Sequence, residues 1–248
     1  MSLFFKSGFR SKSLSLLILL CSYSFAFGCD SKMADAYLIK NLDSQNTVCE
    51  KAVDKPSSIA SITKLFAATA LVDLGIDLEQ HYKVKPVKGI NAGRLFVNKL
   101  YSGNELLHLS LMSSSNLAIK TLANQLDESI VVARMNSMVK EIGLTDTSFV
   151  EVTGLMAENK STASDIAKFL IYLKNNNEKY QAIFRYSSSN SLDIPFNKKV
   201  HHFRHTLNEI NQNIVDSVVA KTGWTNAAGR CLAMIYSHNG HEIGRAHV

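Results

Sequence analysis

Two reactive groups sit three residues apart in Ser61-Ile62-Thr63-Lys64, within a run that extends from Pro56 to Leu71. A serine hydroxyl is a poor nucleophile until a base takes its proton. A lysine amine becomes such a base when burial or a neighbouring cation lowers its pKa. On a helix, residues three apart share a face, so this spacing would bring amine to hydroxyl. Pro56, Ser57 and Ser58 precede an Ala-rich apolar stretch and predict a capped helix start, with the helix ending near Gly75. A capped helix with a solvated lysine would explain the same four residues, so the motif needs partners. Two candidates follow in order: Ser114-Ser115-Asn116, which also reads as a polar break between helices, and Lys221-Thr222-Gly223, which also reads as a strand end.

The elements that would carry these groups are legible in outline. Ala36–Lys40 and Thr47–Glu50 are β-type runs around a polar turn, a hairpin pattern. Residues 81–103 are mixed and turn-rich. Asn104–Lys120 has helical spacing, interrupted at Ser113–Asn116 and resumed over Leu117–Leu126. Ile130–Ile142 predicts an amphipathic helix closed by Gly143, and Thr162-Ala163-Ser164-Asp165 caps a helix running to Leu173. Residues 185–214 are polar and irregular. Val215–Lys221 and Gly229–Ser237 predict strands, and Asn239-Gly240 predicts a hairpin turn into a third. That strand is expected to be absent. Residues 242–248 match the translation of a common adapter oligonucleotide, so the native sequence is expected to end near His241, leaving an unpaired sheet edge.

Residues 1–28 predict a removable secretory leader: Lys6, Arg10 and Lys12 ahead of the apolar Leu14–Phe27, which is short for a membrane span. Cys29 follows directly, and cleavage before an acylated Cys29, in a poor lipobox, is the alternative. The expected compartment is the periplasm, with membrane association only through that lipid. Removing the three leader cations from the formal +6 leaves +3. No basic cluster alternates with aromatic residues, which argues against nucleic acid. With Cys21 and Cys29 in the leader region, Cys49 and Cys231 are expected as buried free thiols. His201, His202 and His205 lack a partner set of zinc spacing and are expected in a solvated loop, so neither metal nor cofactor is anticipated.

The three motifs in this order, behind a leader, are those of class A β-lactamases and penicillin-binding proteins. From about Ala34 to Gly240 the chain resembles the low-molecular-mass penicillin-binding proteins, the serine-type D-alanyl-D-alanine peptidases. Gly154-Leu155, Ser161-Thr162-Ala163-Ser164-Asp165 and the run from Lys221 to Leu232 extend the likeness. Met112–Asn116 and that last run resemble most the endopeptidase-type members, of the penicillin-binding protein 7 sort. The resemblance implies an α/β, β-lactamase/transpeptidase-like fold over residues 34–241. It has an antiparallel sheet flanked by helices and a mostly helical lobe over about 76–195, here expected to be truncated at the C-terminus.

The family implies an acyl-enzyme on Ser61, with Lys64 as base, Ser114 relaying a proton to the leaving amine, and Asn116 holding substrate backbone and lysine. Lys221, Thr222, Gly223, Trp224 and Thr225 would bind substrate, Gly223 by letting it lie close. The N–H groups of Ser61 and Trp224 would form an oxyanion hole. Implied partners are peptidoglycan stem peptides and cross-links, with β-lactams as covalent inhibitors. The glutamate that class A β-lactamases use for deacylation has its nearest match in Glu141, which lacks the accompanying asparagine. Slow release of penicillin is expected, with a non-hydrolytic sensor and a β-lactamase as alternatives. The chain departs from the family pattern at His205-Thr206-Leu207, and Ser115 replaces the usual acidic or small residue.

Overall fold

A computed structural model describes residues 34–211 and 216–248; the expected leader and Cys29 lie outside them. The predicted first hairpin forms from β1 (Tyr37–Asn41) and β2 (Thr47–Lys51). The two-residue β3 (Ser57–Ser58) leads to a 3₁₀ turn, Ala60–Ile62, and to α1 (Thr63–Asp73). Helix α1 is apolar on every face because it is enclosed on every face: Leu65, Phe66, Ala67, Ala68, Ala70 and Leu71 are all fully buried. Phe66 stacks on Phe169 at 3.7 Å between ring centres and tilts against Phe149 at 4.8 Å.

Short strands β4 (His81–Lys83) and β5 (Leu100–Ser102) pair across the turn-rich segment. The helical lobe follows. Helix α2 (Gly103–Leu111) opens on a capping box between Ser102 and Glu105; α3 is Asn116–Ala123 and α4 is Glu128–Ile142. Gly143 closes α4 with φ +76°, the left-handed C-cap that the sequence predicts. After β6 (Lys160–Ser161), which pairs with β3, Thr162 caps α5 (Ala163–Asn175) by accepting the Asp165 N–H.

Asp73, at the end of α1, gathers Arg134 of α4, Lys179 and the Tyr180 hydroxyl. Burial raises its pKa, but these hydrogen bonds and the Arg134 charge outweigh that and leave it lowered. The carboxylate thus stays ionised and ties three segments of the lobe together.

Residues 185–211 are more ordered than their polarity predicts. They carry the end of α6 (Gln181–Ser187) and the hairpin of β7 (Ser191–Phe196) and β8 (Lys199–Arg204), turned through Asn197 and Lys198, both at positive φ. Ile194 and Phe203 are buried and anchor it. The histidines are therefore not in a solvated loop. His201 packs on Phe96, His202 contacts Asp193, and His205 is buried. Among the described residues, no His, Cys, Asp or Glu cluster could hold a metal ion, and no helix is long and apolar enough to cross a membrane.

The central sheet is where expectation and structure diverge most. Strands β9 (Ser217–Thr225) and β10 (Gly229–His238) pair as predicted, but the chain does not stop there. Asn239 (φ 50°) and Gly240 (φ 78°) turn it into β11 (His241–His247), which inserts between β10 and β1 and completes the order β2-β1-β11-β10-β9. The residues predicted to be foreign thus close the gap they were expected to leave. Their pattern suits the position: Gly244, Ala246 and Val248 are buried while the residues between them are only partly so, the period of two that a half-covered strand requires. Gly244 also makes room for Leu42, whose Cδ2 would lie 2.9 Å from an added Cβ.

Cys231 is a buried free thiol, and burial pushes it up to about 12. Cys49 corrects the expectation: it is disulfide-bonded.

Removing residues 241–248 leaves β1 and β10 without their shared neighbour. Loss of the cooperative thermal transition by circular dichroism is expected, and an unchanged melting temperature would show that β11 contributes nothing to the sheet.

Candidate active site

The three motifs converge. Ser61 lies in the 3₁₀ turn rather than in a side-chain-capped first turn: neither it nor α1 has a side-chain cap, and Ser57 and Ser58 are strand residues paired with Ser161 and Lys160. Close packing holds the turn instead. Ala60 has φ 45°, and Gly154 (φ +83°) lies so near that an added Cβ would come 1.9 Å from the Ala60 carbonyl oxygen. From the other side Gly223 of β9 presses in: its Cβ would stand 2.9 Å from the Ser61 nitrogen. Glycine at both positions is what lets two loops and a strand meet at the serine.

Lys64 is fully buried, and its Nζ lies 2.7 Å from Ser61 Oγ, 2.6 Å from Asn116 Oδ1 and 2.6 Å from the Thr153 carbonyl oxygen. Desolvation lowers its pKa to about 7, against a pull in the other direction from Glu151. A neutral amine has two N–H bonds and one lone pair. If the two carbonyl oxygens take the N–H bonds, the lone pair is left facing the Ser61 hydroxyl.

Lys221, also fully buried, donates to Ser114 Oγ at 2.9 Å and to the Thr222 carbonyl at 2.7 Å. Burial first, and the Lys64 charge second, hold its pKa well below the ordinary lysine value. Ser114 sits between α2 and α3 at φ 60°, a conformation uncommon outside glycine. The next residue fastens the strained point: the Ser115 hydroxyl caps α3 by accepting the Ala118 N–H, and its own N–H donates to Leu109.

A cleft of about 640 Å³ opens over these groups, with Ser61, Ser114, Thr222, Gly223 and the exposed Trp224 in its wall. Thr206 shares it, its hydroxyl 2.6 Å from that of Thr222. Where the chain departs from its family pattern, His205 works from behind. Leu207 N–H donates to its Nδ1, so Nε2 carries the hydrogen and donates to the Ser187 carbonyl. Burial lowers its pKa to about 4, so the imidazole is neutral and fixes the Thr206 turn. Thr225 is the predicted site residue whose side chain serves elsewhere: its hydroxyl accepts the Ala228 N–H in the β9–β10 turn.

Sequence reasoning missed Glu151. This buried carboxylate accepts from the N–H groups of Thr153 (2.5 Å), Gly154 (2.6 Å) and Leu155 (3.0 Å) and from Asn159 Nδ2 (2.8 Å). It therefore shapes the loop that delivers both the Thr153 carbonyl to Lys64 and Gly154 to the serine turn. Glu141, the glutamate singled out from sequence, is half-exposed and pairs with Arg134. No local pattern marks Glu151, because its partners are backbone groups and an asparagine eight residues away.

Comparison with known proteins identifies the family. Residues 25–245 match the family described as D-alanyl-D-alanine carboxypeptidase, peptidase S11. The chain is similar to a D-alanyl-D-alanine endopeptidase of Escherichia coli strain K12 (32% identical over 206 residues, 79% of this chain) and to one of Pseudomonas aeruginosa (31% over 185 residues, 71% of this chain). It spans 65% and 58% of the lengths of these two relatives. A solved D-alanyl-D-alanine carboxypeptidase from Mycobacterium tuberculosis shares the fold, with a TM-score of 0.74, 22% identity, and coverage of 86% of this chain and 81% of that one.

Glu151→Gln replaces one acceptor oxygen by a donor facing donors. It is expected to cost about 1–3 kcal/mol in urea unfolding; an unmoved midpoint would show that the carboxylate does not fasten the loop.

Proposed function

The chain belongs to the D-alanyl-D-alanine carboxypeptidase family, and on that premise we propose that it is an exported serine DD-peptidase of the cell wall, with Ser61 as nucleophile and Lys64 as base. The observation that carries this is the setting of Lys64: its amine lies 2.7 Å from Ser61 Oγ, with both of its N–H bonds provided with acceptors. The Ser61 proton moves to Lys64 as Oγ attacks the carbonyl of a D-alanyl peptide bond. The oxyanion develops beside the N–H groups of Ser61 and Trp224. Ser114, linked to Lys221, then relays the proton taken by Lys64 to the departing amine as the C–N bond breaks, leaving an ester on Ser61. Water hydrolyses the ester and frees the serine. Asn116 holds the lysine and the substrate backbone, while Lys221, Thr222 and Thr206 offer an amine and hydroxyls to the leaving group's carboxylate.

Substrates in this proposal are peptidoglycan stem peptides and cross-links, met in the periplasm, with β-lactams as slow-release acylating inhibitors. The similarity to D-alanyl-D-alanine endopeptidases of Escherichia coli and Pseudomonas aeruginosa favours endopeptidase action on cross-links. β-Lactamase turnover is disfavoured by the carboxylates at hand: Glu141 is engaged by Arg134, and the oxygens of Glu151 are engaged by the backbone of its own loop. A lipid on Cys29 is testable by mass spectrometry of the exported protein.

Ser61→Ala should abolish covalent labelling by a fluorescent penicillin; surviving label would mean another nucleophile. The pH profile provides a second check. Because the neutral amine is the base and its pKa is about 7, the acylation rate constant should rise with pH through that value. A flat profile between roughly pH 6 and 8 would remove Lys64 from that role.

A further inference from the structure

A second cavity, about 590 Å³, lies against the cleft and shares one wall with it, the Ser114 loop. Its other walls are the turn Asn91–Leu95 and residues 202–204 at the end of β8, just before Thr206 enters the cleft. Its charge is one-sided. Arg94 and Arg204 line it and no aspartate or glutamate does. The guanidinium of Arg94 lies over the buried Phe203 ring, 5.2 Å from its centre, and the Asn91 side chain secures the turn beneath by accepting the Gly93 N–H. His202 adds a third basic group, already engaged at 2.6 Å by Asp193 outside the cavity wall. Arg94 and Arg204 thus line the cavity with two guanidinium groups and no lining carboxylate, the arrangement that recognises carboxylates.

Position says which carboxylates. The cavity joins the cleft at Ser114, the group assigned to protonate the leaving amine, and carries Asn116 in the same wall, so a leaving group that departs past Ser114 would enter it. A free D-alanine would end at Thr222 and Thr206 and leave this space unused. A leaving group that continues into a peptide would fill it. We infer that the cavity between residues 91–95, the Ser114 loop and the end of β8 is the binding site for the acceptor stem of a cross-link, a carboxylate-bearing peptide held by Arg94 and Arg204. The inference rests on the DD-peptidase proposal and adds to it the residues that would favour cross-links over terminal D-alanine.

The test follows cleavage of a cross-linked tetrapeptide–tetrapeptide muropeptide, D-alanine release from a pentapeptide muropeptide, and acylation by fluorescent penicillin, for the full chain and for Arg94→Ala/Arg204→Ala. Both arginines are exposed, so the fold should persist. The ratio of cross-link cleavage to penicillin acylation should fall about tenfold or more, with most of it regained in Arg94→Lys/Arg204→Lys. Amidating the acceptor carboxylates, except the one beside the scissile bond, should cost the parent protein a similar factor and the alanine variant almost nothing. An unchanged ratio, or an equal loss on amidation in both proteins, overturns the subsite alone. A parent protein that is acylated by penicillin yet cleaves no cross-link overturns the subsite and the endopeptidase preference. Absence of acylation as well overturns the DD-peptidase proposal itself.

Discussion

The candidate site turns on an amine whose charge burial disfavours. Lys64 and Lys221 are both fully buried, and two ammonium groups so close would carry a desolvation penalty as well as mutual repulsion. Lowered pKa values are the outcome. Burial alone would give a neutral lysine with no preferred direction. The Asn116 and Thr153 oxygens offer it one: in the neutral amine they would accept the two N–H bonds and leave the lone pair to Ser61.

That arrangement explains the construction around it. Thr153 can offer its carbonyl only if its loop turns tightly, and the Glu151 carboxylate gathers three consecutive N–H groups to make the turn. The same loop places Gly154 against Ala60, while Gly223 approaches from β9. A carboxylate some way along the chain from the lysine therefore tunes it twice, by charge and by shaping the loop. The conflict is moderate because the carboxylate is occupied by hydrogen-bond donors, which spreads its negative charge over the backbone.

The helices were readable where caps and periodicity are local. Thr162 before α5 and Gly143 after α4 each act within one turn, so the sequence shows them directly. The hairpin of β7 and β8 was not readable, since its polar residues face solvent and, of its side chains, Ile194 and Phe203 alone are buried. The expectation of a missing strand failed for a related reason. Glu242–Val248 looks unlike its surroundings in composition, yet a strand asks only for alternation, small residues where neighbours crowd and a turn to enter from, and these residues meet all three.

Composition, order and spacing determined which groups are the candidates for chemistry: Ser61 with Lys64, Ser114 with Asn116, and Lys221 with Thr222. They did so because each motif is short enough for its own helix or strand to position it. Tertiary structure alone decided what those groups can do. The neutrality of Lys64 depends on walls contributed by distant segments. Its direction depends on a carbonyl that any residue could supply, and Thr225 turned away although its motif neighbours did not. Cys49 has a disulfide partner and Cys231 has none, a difference that lies in where the fold carries them. Desolvation and backbone acceptors belong to no residue type, so they become visible only once the chain has closed around them.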